Sequence, residues 1–153
     1  MEPQTILQVE DSDNDARLLS LAFREAGVIN PVITVPNAEQ AICYFAGTGN
    51  YADRERFPLP GILLIDLKLP GMGGLDLLDL LTKQFSLKGV LLVVVSAYDE
   101  IFHVNRAYAL GAQTFLSKPV QVQDITNMAK AFQGHWTFAQ PRQSAVTLAS
   151  SND

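Results

Sequence analysis

Short apolar runs alternate with stretches of helical periodicity along the whole chain. The runs are rich in Val, Ile and Leu, which is typical of strands, and the stretches repeat apolar residues at the i, i+3, i+4, i+7 spacing of one helix face. This alternation favours an α/β domain with a parallel sheet covered by helices on both faces, over a helical bundle or a β-sandwich. Strands are predicted over residues 6–9, 32–35, 62–65, 90–95 and 114–116.

Five helices are predicted between and after these strands, near residues 13–26, 38–45, 74–85, 99–110 and 125–132. Asp13 and Asp15 would lie in the positive first turn of the first helix, and Gly27 would end it. The residues expected on the apolar faces are Leu18, Leu19, Ala22, Phe23, Ala26, Ala38, Ala41, Ile42, Phe45, Leu77, Leu78, Leu81, Phe85, Ile101, Val104, Tyr108, Ile125, Met128, Ala129 and Phe132.

Two strands, one connection and the C-terminal end stand out from this pattern. Residues 62–65 and 90–95 are apolar without alternation, which predicts central strands buried on both faces. Residues 47–60 form a polar connection with Gly and Pro that is longer than most in compact domains. Periodicity is lost from about residue 139, so we expect one domain over residues 1–138 and a flexible tail over 139–153.

The composition suits one globular unit without a nucleic-acid or membrane partner. Of the 153 residues 48% are hydrophobic, and the net charge of −5 repels phosphate backbones and anionic lipid headgroups. The N-terminal sequence MEPQT lacks the basic and apolar regions of a signal peptide, and the longest apolar run is too short to span a bilayer. Since the lone Cys43 cannot form an intramolecular disulfide, we expect a cytoplasmic protein.

Polar residues follow the predicted strands at the positions where ligands bind to an open parallel sheet, its carboxyl edge. The first strand is followed by two acids, the third by one, the fourth by a serine, and the fifth runs into a lysine. We therefore expect three carboxylates, a hydroxyl and an ammonium to meet at one edge, from Glu10, Asp11, Asp66, Ser96 and Lys118.

This set of groups suits phosphoryl transfer. Three neighbouring acids raise one another's pKa unless a cation keeps them ionised, and Mg²⁺ prefers such hard oxygen ligands together with phosphate oxygens. A phosphoryl group in transfer needs a nucleophile, neutralisation of its oxygens and fixed donors. Asp66 can supply the nucleophile, Mg²⁺ and Lys118 the positive charge, and Ser96 a hydroxyl donor.

Four motifs carry a family resemblance. The segments VEDSDND at 9–15, IDLKLPGMGG at 65–74, VVSAYD at 94–99 and TFLSKPV at 114–120 resemble the receiver domain of bacterial two-component response regulators. The resemblance covers about residues 5–134. Its spacing also fits, with 30 residues from Asp66 to Ser96 and 22 from Ser96 to Lys118.

The resemblance implies a doubly wound five-stranded parallel sheet with the flavodoxin-like strand order 2-1-3-4-5. It implies that Asp66 accepts a phosphoryl group from a sensor histidine kinase and becomes an aspartyl phosphate. Asp11, Asp66 and the backbone carbonyl of Lys68 would bind Mg²⁺, and Glu10 would act mainly through water.

The resemblance further implies a phosphorylation switch. Lys118, in a cis peptide bond to Pro119, would pair with the phosphoryl group, Ser96 would move toward it, and Phe115 would follow inward. Because Phe115 has no hydroxyl where many family members have Tyr, its movement would change packing alone. Tyr98 would lie beside the pocket with Lys68, at positions that affect the access of water.

Several of these residues also have a simpler interpretation. Glu10 and Asp11 could form a solvated strand end, with Asp11 or Ser12 capping the first helix. Asp66 could be a loop acid, Ser96 a serine that merely precedes a helix, Lys118 a surface lysine, and Phe115 a core residue. We expect His103 and His135 to be exposed helix residues rather than ligands, and Cys43 to be a packing residue.

Two further features concern partners. Trp136 would continue the stripe of the last helix beyond Phe132, and it either extends the core or anchors a dimer or partner contact. Residues 50–60, NYADRERFPLP, are either a neutral insertion or the segment that precedes the third strand in stand-alone receivers paired with cyanobacterial phytochromes, which they resemble.

The sequence thus predicts a single-domain response regulator and phosphoprotein rather than a conventional enzyme. Its signal would pass to an unknown downstream protein through the fourth helix, fifth strand and fifth helix. A homodimer at the same face is a hypothesis motivated by Phe132 and Trp136. One alternative is a receiver-like scaffold that acts without phosphorylation. A flavodoxin-like enzyme is less favoured, since no GxGxxG or GxxxxGK[ST] loop follows the first strand.

Overall fold

The computed structural model describes residues 2–97 and 101–140, in which strands and helices alternate. Tyr98 and residues 141–153 of the expected tail lie outside this part of the chain. The strands are β1 (Ile6–Val9), β2 (Val32–Val35), β3 (Ile62–Asp66), β4 (Leu91–Ser96) and β5 (Thr114–Ser117). The α-helices are α1 (Asp13–Glu25), α2 (Ala38–Ala46), α3 (Gly74–Gln84), α4 (Ile101–Ala109) and α5 (Val122–Ala131).

The five strands form one parallel sheet in the order β2-β1-β3-β4-β5, which confirms the predicted fold class. Every predicted strand and helix is present, with bounds that differ by a few residues at most. After β1 the chain goes to one side of the sheet for β2 and then crosses to the other side for β3. The carboxyl ends of β1 and β3 therefore flank the point where the strand order reverses, which is the usual binding site of such sheets.

The sheet separates two apolar cores. Side chains of α2, α3 and α4 pack against one face, and those of α1 and α5 pack against the other. Successive residues of β3 alternate between these cores, Ile62 and Leu64 facing one and Leu63 and Ile65 the other. Both β3 and β4 are buried throughout, as their unbroken apolar sequences predicted.

The predicted helix faces need two corrections at their margins. Leu18 is 53% exposed, because the buried stripe of α1 is centred on Leu19, Ala22 and Phe23 and residue 18 lies outside it. Tyr108 is also exposed on α4.

The part of the chain that the structure describes contains no helix long and apolar enough to cross a membrane.

Trp136 extends the core, but from a segment that follows α5 rather than from the helix itself. The helix ends at Ala131, and the indole ring of Trp136 lies 5.8 Å from the ring of Phe23. Since Trp136 and Phe132 both pack against the α1–α5 core, they no longer argue for a dimer contact, and dimerisation stays a prediction. The backbone N–H of Ala139 donates to the carbonyl of Gly27, so the first residue of the expected tail is bonded to the domain.

His135 also lies beyond α5, so its expected place in a helix is wrong. Its Nδ1 is 3.1 Å from Oε1 of Gln4, and its carbonyl accepts a hydrogen bond from the side-chain amide of Asn30. His103 lies on α4 as predicted and is partly exposed there. Cys43 is partly exposed on α2.

The connection over residues 47–60 is folded back onto the end of α2. The guanidinium of Arg54 donates hydrogen bonds to the carbonyls of Tyr44, Phe45 and Phe57, over 2.7, 2.8 and 3.2 Å. The buried Tyr44 hydroxyl donates to the carbonyl of Pro58 over 2.7 Å. We call residues 51–58 the Arg54 segment. Its hydrogen bonds to Tyr44 and Phe45 add to the helix cap at the end of α2, where the N–H of Gly47 also donates to the carbonyl of Tyr44 over 3.2 Å.

Candidate functional site

The carboxyl ends of β1, β3, β4 and β5 surround a pocket of about 490 Å³, which we call the acidic pocket. Glu10 follows β1, Asp66 ends β3 and Ser96 ends β4, and all three are buried. The topology thus brings together the five groups expected at this edge. The residues that line the pocket are Glu10, Asp11, Ser12, Asp15, Asp66, Lys68, Leu69, Pro70, Ser96, Ala97 and Lys118.

The start of α1 fixes the side of the pocket next to β1. The Ser12 hydroxyl caps the helix by accepting a hydrogen bond from the backbone N–H of Asp15 over 3.1 Å. The N–H of Ser12 itself donates to Oε2 of Glu10 over 3.2 Å. Of the two predicted candidates, Ser12 therefore provides the cap, which leaves the Asp11 side chain exposed at the mouth of the pocket.

The Lys118 ammonium is the centre of the pocket. Its Nζ lies 2.6 Å from Oε1 of Glu10, 2.9 Å from Oδ2 of Asp15 and 3.0 Å from Oδ2 of Asp66. An ammonium carries three N–H donors, and three carboxylates accept them here. Lys118 is thus a half-buried partner of the acids rather than a surface lysine. Its peptide bond to Pro119 is cis, as the resemblance implied.

Sequence reasoning missed the part that Asp15 plays in this group. It assigned Asp15 only to the positive first turn of α1, where the residue does lie. The available signal was its position four residues after Asp11, in the first turn of α1 and therefore near the carboxyl edge of the sheet.

Burial and crowding shift two pKa values in the pocket. Burial raises the pKa of Glu10 to about 7, and Asp66 adds to this while the hydrogen bond from Lys118 opposes it. Burial alone would lower the pKa of Lys118, but the hydrogen bonds to Glu10, Asp15 and Asp66 outweigh it and the net shift is upward. One firmly protonated lysine therefore faces more negative charge than it can neutralise.

The excess charge is arranged as a cation site. Carboxylate oxygens of Glu10, Asp11 and Asp66 lie within 4.8 Å of one another. All three are hard oxygen donors, the type that Mg²⁺ and Mn²⁺ bind. On the loop after β3, the backbone N–H of Lys68 donates to Oδ1 of Asp66 over 3.1 Å, whereas Lys118 binds Oδ2, so both oxygens of that carboxylate are held.

The loop after β3 needs glycine at its end. The N–H of Gly74 donates to the carbonyl of Leu67 over 3.0 Å, and a Cβ at position 74 would overlap the carbonyl oxygen of Asp66. The backbone of α3 therefore approaches the backbone of Asp66 more closely than any side chain would allow.

Ser96 and Phe115 occupy different surroundings. Ser96 is fully buried beside the pocket, and its carbonyl accepts a hydrogen bond from the backbone N–H of Lys118 over 2.9 Å. Phe115 is paired with Val94 in the β4–β5 register and packs, partly buried, against the core on the α3–α4 side. It is not part of the pocket lining.

Comparison with known proteins agrees with this geometry. The family model of the response regulator receiver domain matches residues 6–130. Response regulator Rcp1 of Synechocystis sp. is 27% identical over 134 residues, which cover 88% of this chain and 89% of Rcp1. The Mn²⁺-bound form of Rcp1 has a TM-score of 0.70 at 26% identity, covering 90% of this chain and 100% of that structure.

Two other solved structures are similar. Response regulator RPA3017, in red light signalling of R. palustris, has a TM-score of 0.76 at 26% identity, covering 90% of this chain and 99% of RPA3017. The phosphorylated cyanobacterial phytochrome response regulator RcpA has a TM-score of 0.71 at 25% identity, covering 90% of this chain and 99% of RcpA. Strand order, site geometry and family match agree: the chain belongs to the response regulator receiver family of two-component signalling and is related to the phytochrome response regulators.

Proposed function

We propose that this chain is a phosphorylation switch that accepts a phosphoryl group on Asp66 from a histidine kinase. One observation carries the proposal. Asp66 lies in one pocket with the Lys118 ammonium and with the carboxylates of Glu10 and Asp11, which could bind a metal ion together with it. Asp66 is held at both oxygens, by Lys118 on one side and by the backbone N–H of Lys68 on the other. A fixed carboxylate beside positive charge is what in-line phosphoryl transfer requires of its acceptor.

Phosphoryl transfer to Asp66 needs no reactant other than the phosphorylated kinase. A carboxylate oxygen of Asp66 forms the O–P bond while the N–P bond of the kinase phosphohistidine breaks, and the imidazole leaves. Lys118 neutralises charge on the phosphoryl oxygens. Asp11, Asp66 and the carbonyl of Lys68 would hold Mg²⁺, with Glu10 acting through water, and the ion would supply further positive charge for those oxygens.

The output of the switch would begin at Ser96 and Phe115. The hydroxyl of Ser96 would move to the phosphoryl group, and Phe115 would fill the space that this movement leaves. The support for this step is the burial of Ser96 and the partial burial of Phe115 one strand away. The neighbouring helix α4 has exposed Phe102 and Tyr108, a surface suited to contacts with a downstream protein.

We further propose that the kinase is a phytochrome. Two similar structures are those of a regulator in red light signalling and of a phytochrome response regulator, and the chain aligns with nearly their full length. The ordered Arg54 segment, in the part of the sequence that resembles these regulators, argues against a neutral insertion.

The phosphoacceptor is tested with acetyl phosphate and Mg²⁺, with mass spectrometry as the readout. Wild type should gain one phosphoryl group, and Asp66→Ala should gain none. Asp76→Ala is the matched control, because Asp76 is an exposed acid at the start of α3 and should leave labelling unchanged. Labelling of Asp66→Ala at the wild-type level would refute the assignment.

The kinase is tested by phosphotransfer profiling of wild type against phytochrome and non-phytochrome histidine kinases. We expect the fastest transfer from a phytochrome kinase. Transfer from other kinases alone would refute the phytochrome pairing and leave the acceptor role of Asp66 intact.

A further inference from the structure

We propose that Asp15 is a positioning residue for phosphoryl transfer, which holds the Lys118 ammonium directed at Asp66. This inference rests on the proposed function of Asp66 as the acceptor. Asp15 is not a metal-site candidate, since the cluster of oxygens that could share one ion consists of Glu10, Asp11 and Asp66 among the described residues. Its contact is with Lys118, over 2.9 Å.

The number of donors on the ammonium gives the reason. Each of the three N–H groups of Lys118 has one carboxylate acceptor: Glu10, Asp15 and Asp66. The first two acceptors lie on the β1–α1 side of the pocket, 108 and 103 residues away from the lysine in sequence. With two N–H groups held there, the third has one direction left, which is toward Asp66.

Phosphorylation changes only the third acceptor. When Asp66 becomes an acyl phosphate, the negative charge of its carboxylate is lost and new negative charge appears on the phosphoryl oxygens. The third N–H can turn from Asp66 to a phosphoryl oxygen while Glu10 and Asp15 retain the other two. Asp15 therefore keeps the ammonium in place before and after transfer, which lowers the cost of reorganisation in the transition state.

The position of Asp15 on α1 makes this anchor firm. Its backbone N–H is bonded to the Ser12 hydroxyl, so the first turn of the helix holds the residue in place. Asp13 lies in the same turn, is exposed, and is not among the three carboxylates that bind Lys118. The two acids therefore share the first turn of the helix and the charge, and differ in exposure and in the lysine contact.

The test is a double-mutant cycle on the rate of phosphorylation by acetyl phosphate with saturating Mg²⁺. Asp15→Asn should slow the reaction by about fivefold, the effect expected when one partly exposed ion-pair partner is removed. Asp13→Asn, which makes the same change in charge, should leave the rate within about twofold of wild type. In the Lys118→Ala background, Asp15→Asn should cause no further loss, because its partner is gone.

A second readout does not depend on phosphorylation. In ¹H–¹⁵N correlation spectra of lysine ammonium groups, the Lys118 signal, assigned by its loss in Lys118→Ala, should be sharp in wild type and in Asp13→Asn. In Asp15→Asn the signal should broaden, because the ammonium would lose one carboxylate partner and its protons would exchange faster with water.

The outcomes separate the two proposals. The positioning role is overturned if Asp15→Asn reacts as fast as wild type, or if this substitution slows the reaction equally with and without Lys118. Either result leaves Asp66 as the acceptor. Failure of the wild type to react with acetyl phosphate and with every kinase overturns the proposed function and with it any role in phosphoryl transfer, and the ammonium spectrum then tests only whether Asp15 holds Lys118. An unchanged Lys118 signal in Asp15→Asn overturns the role in either case.

Discussion

The acidic pocket and the Arg54 segment both enclose charged or polar groups at least in part, but the partners of these groups differ. In the Arg54 segment one guanidinium donates to three backbone carbonyls, and the Tyr44 hydroxyl donates to a fourth. In the acidic pocket one ammonium serves three carboxylates, and Asp11 stands beside them. The first region is satisfied from within the chain, whereas the second is left with excess negative charge.

This difference separates stability from function. A buried polar group whose hydrogen bonds are all made within the protein stabilises the fold and offers nothing to a ligand. A pocket with more carboxylates than cations destabilises the fold, and that cost is offset only when a cation or a phosphoryl group and its metal bind. Substitutions in the two regions should therefore change the free energy of unfolding in opposite directions.

The largest effect is expected in the Arg54 segment. Arg54→Ala removes three hydrogen bonds from a charged donor and leaves the carbonyls of Tyr44 and Phe45 at the end of α2 without this partner. We expect the free energy of unfolding to fall by about 3 kcal/mol, measured by urea denaturation.

The matched control is Arg56→Ala in the same segment. Arg56 is exposed and lies over the ring of Phe57, so its loss should cost less than about 1 kcal/mol. If the two variants were equally stable, the hydrogen bonds of Arg54 would not be the stabilising feature of this region.

An intermediate effect is expected from the pH dependence of stability in the absence of divalent ions. The pKa of Glu10 is about 7 in the folded protein, against 4.5 for an ordinary glutamate. Between these values the folded state binds more protons than the unfolded state, so the free energy of unfolding falls as the pH rises through this window. We expect the Glu10 contribution to amount to about 2 kcal/mol.

The Glu10 contribution is isolated by comparing variants from pH 4.5 to pH 7.5 in a chelating agent. Glu10→Gln should remove the downward slope, whereas Glu39→Gln, an exposed acid of α2, should retain it. Added Mg²⁺ should stabilise wild type most at the upper end, where the carboxylates are ionised. If the free energy of unfolding of Glu10→Gln still fell with rising pH, burial would not be what raises the pKa of Glu10.

Sequence patterns were sufficient for the fold because each element satisfies a local rule. The unbroken apolar run of β4 is buried on both faces, and the Ser12 cap and the stripe through Leu19 and Phe23 define α1. The carboxyl-edge rule for parallel sheets then brought Asp66 and Lys118 to one pocket, although 52 residues separate them.

The details that the sequence missed depend on geometry between distant elements. Asp15 binds a lysine 103 residues away, and the contact depends on how α1 approaches the loop after β5. Trp136 was expected to continue a helix, but α5 ends at Ala131 and Gly134 follows with φ of +100°, a left-handed conformation that suits glycine. The ring then reaches Phe23 from outside the helix.

The smallest expected effect is the sharpest test of the comparison, because it has the opposite sign. Asp66→Asn keeps the size of the side chain and an oxygen that can accept from the backbone N–H of Lys68, but it removes one of the crowded charges. Lys118 retains Glu10 and Asp15 as partners. We expect the free energy of unfolding in urea, without divalent ions, to rise by about 1 kcal/mol, while Asp76→Asn on the exposed surface of α3 leaves it unchanged.

A fall in the free energy of unfolding of Asp66→Asn would mean that the Lys118–Asp66 ion pair is net stabilising. The acidic pocket would then be balanced like the Arg54 segment, and its charge would no longer indicate a site built for a cation.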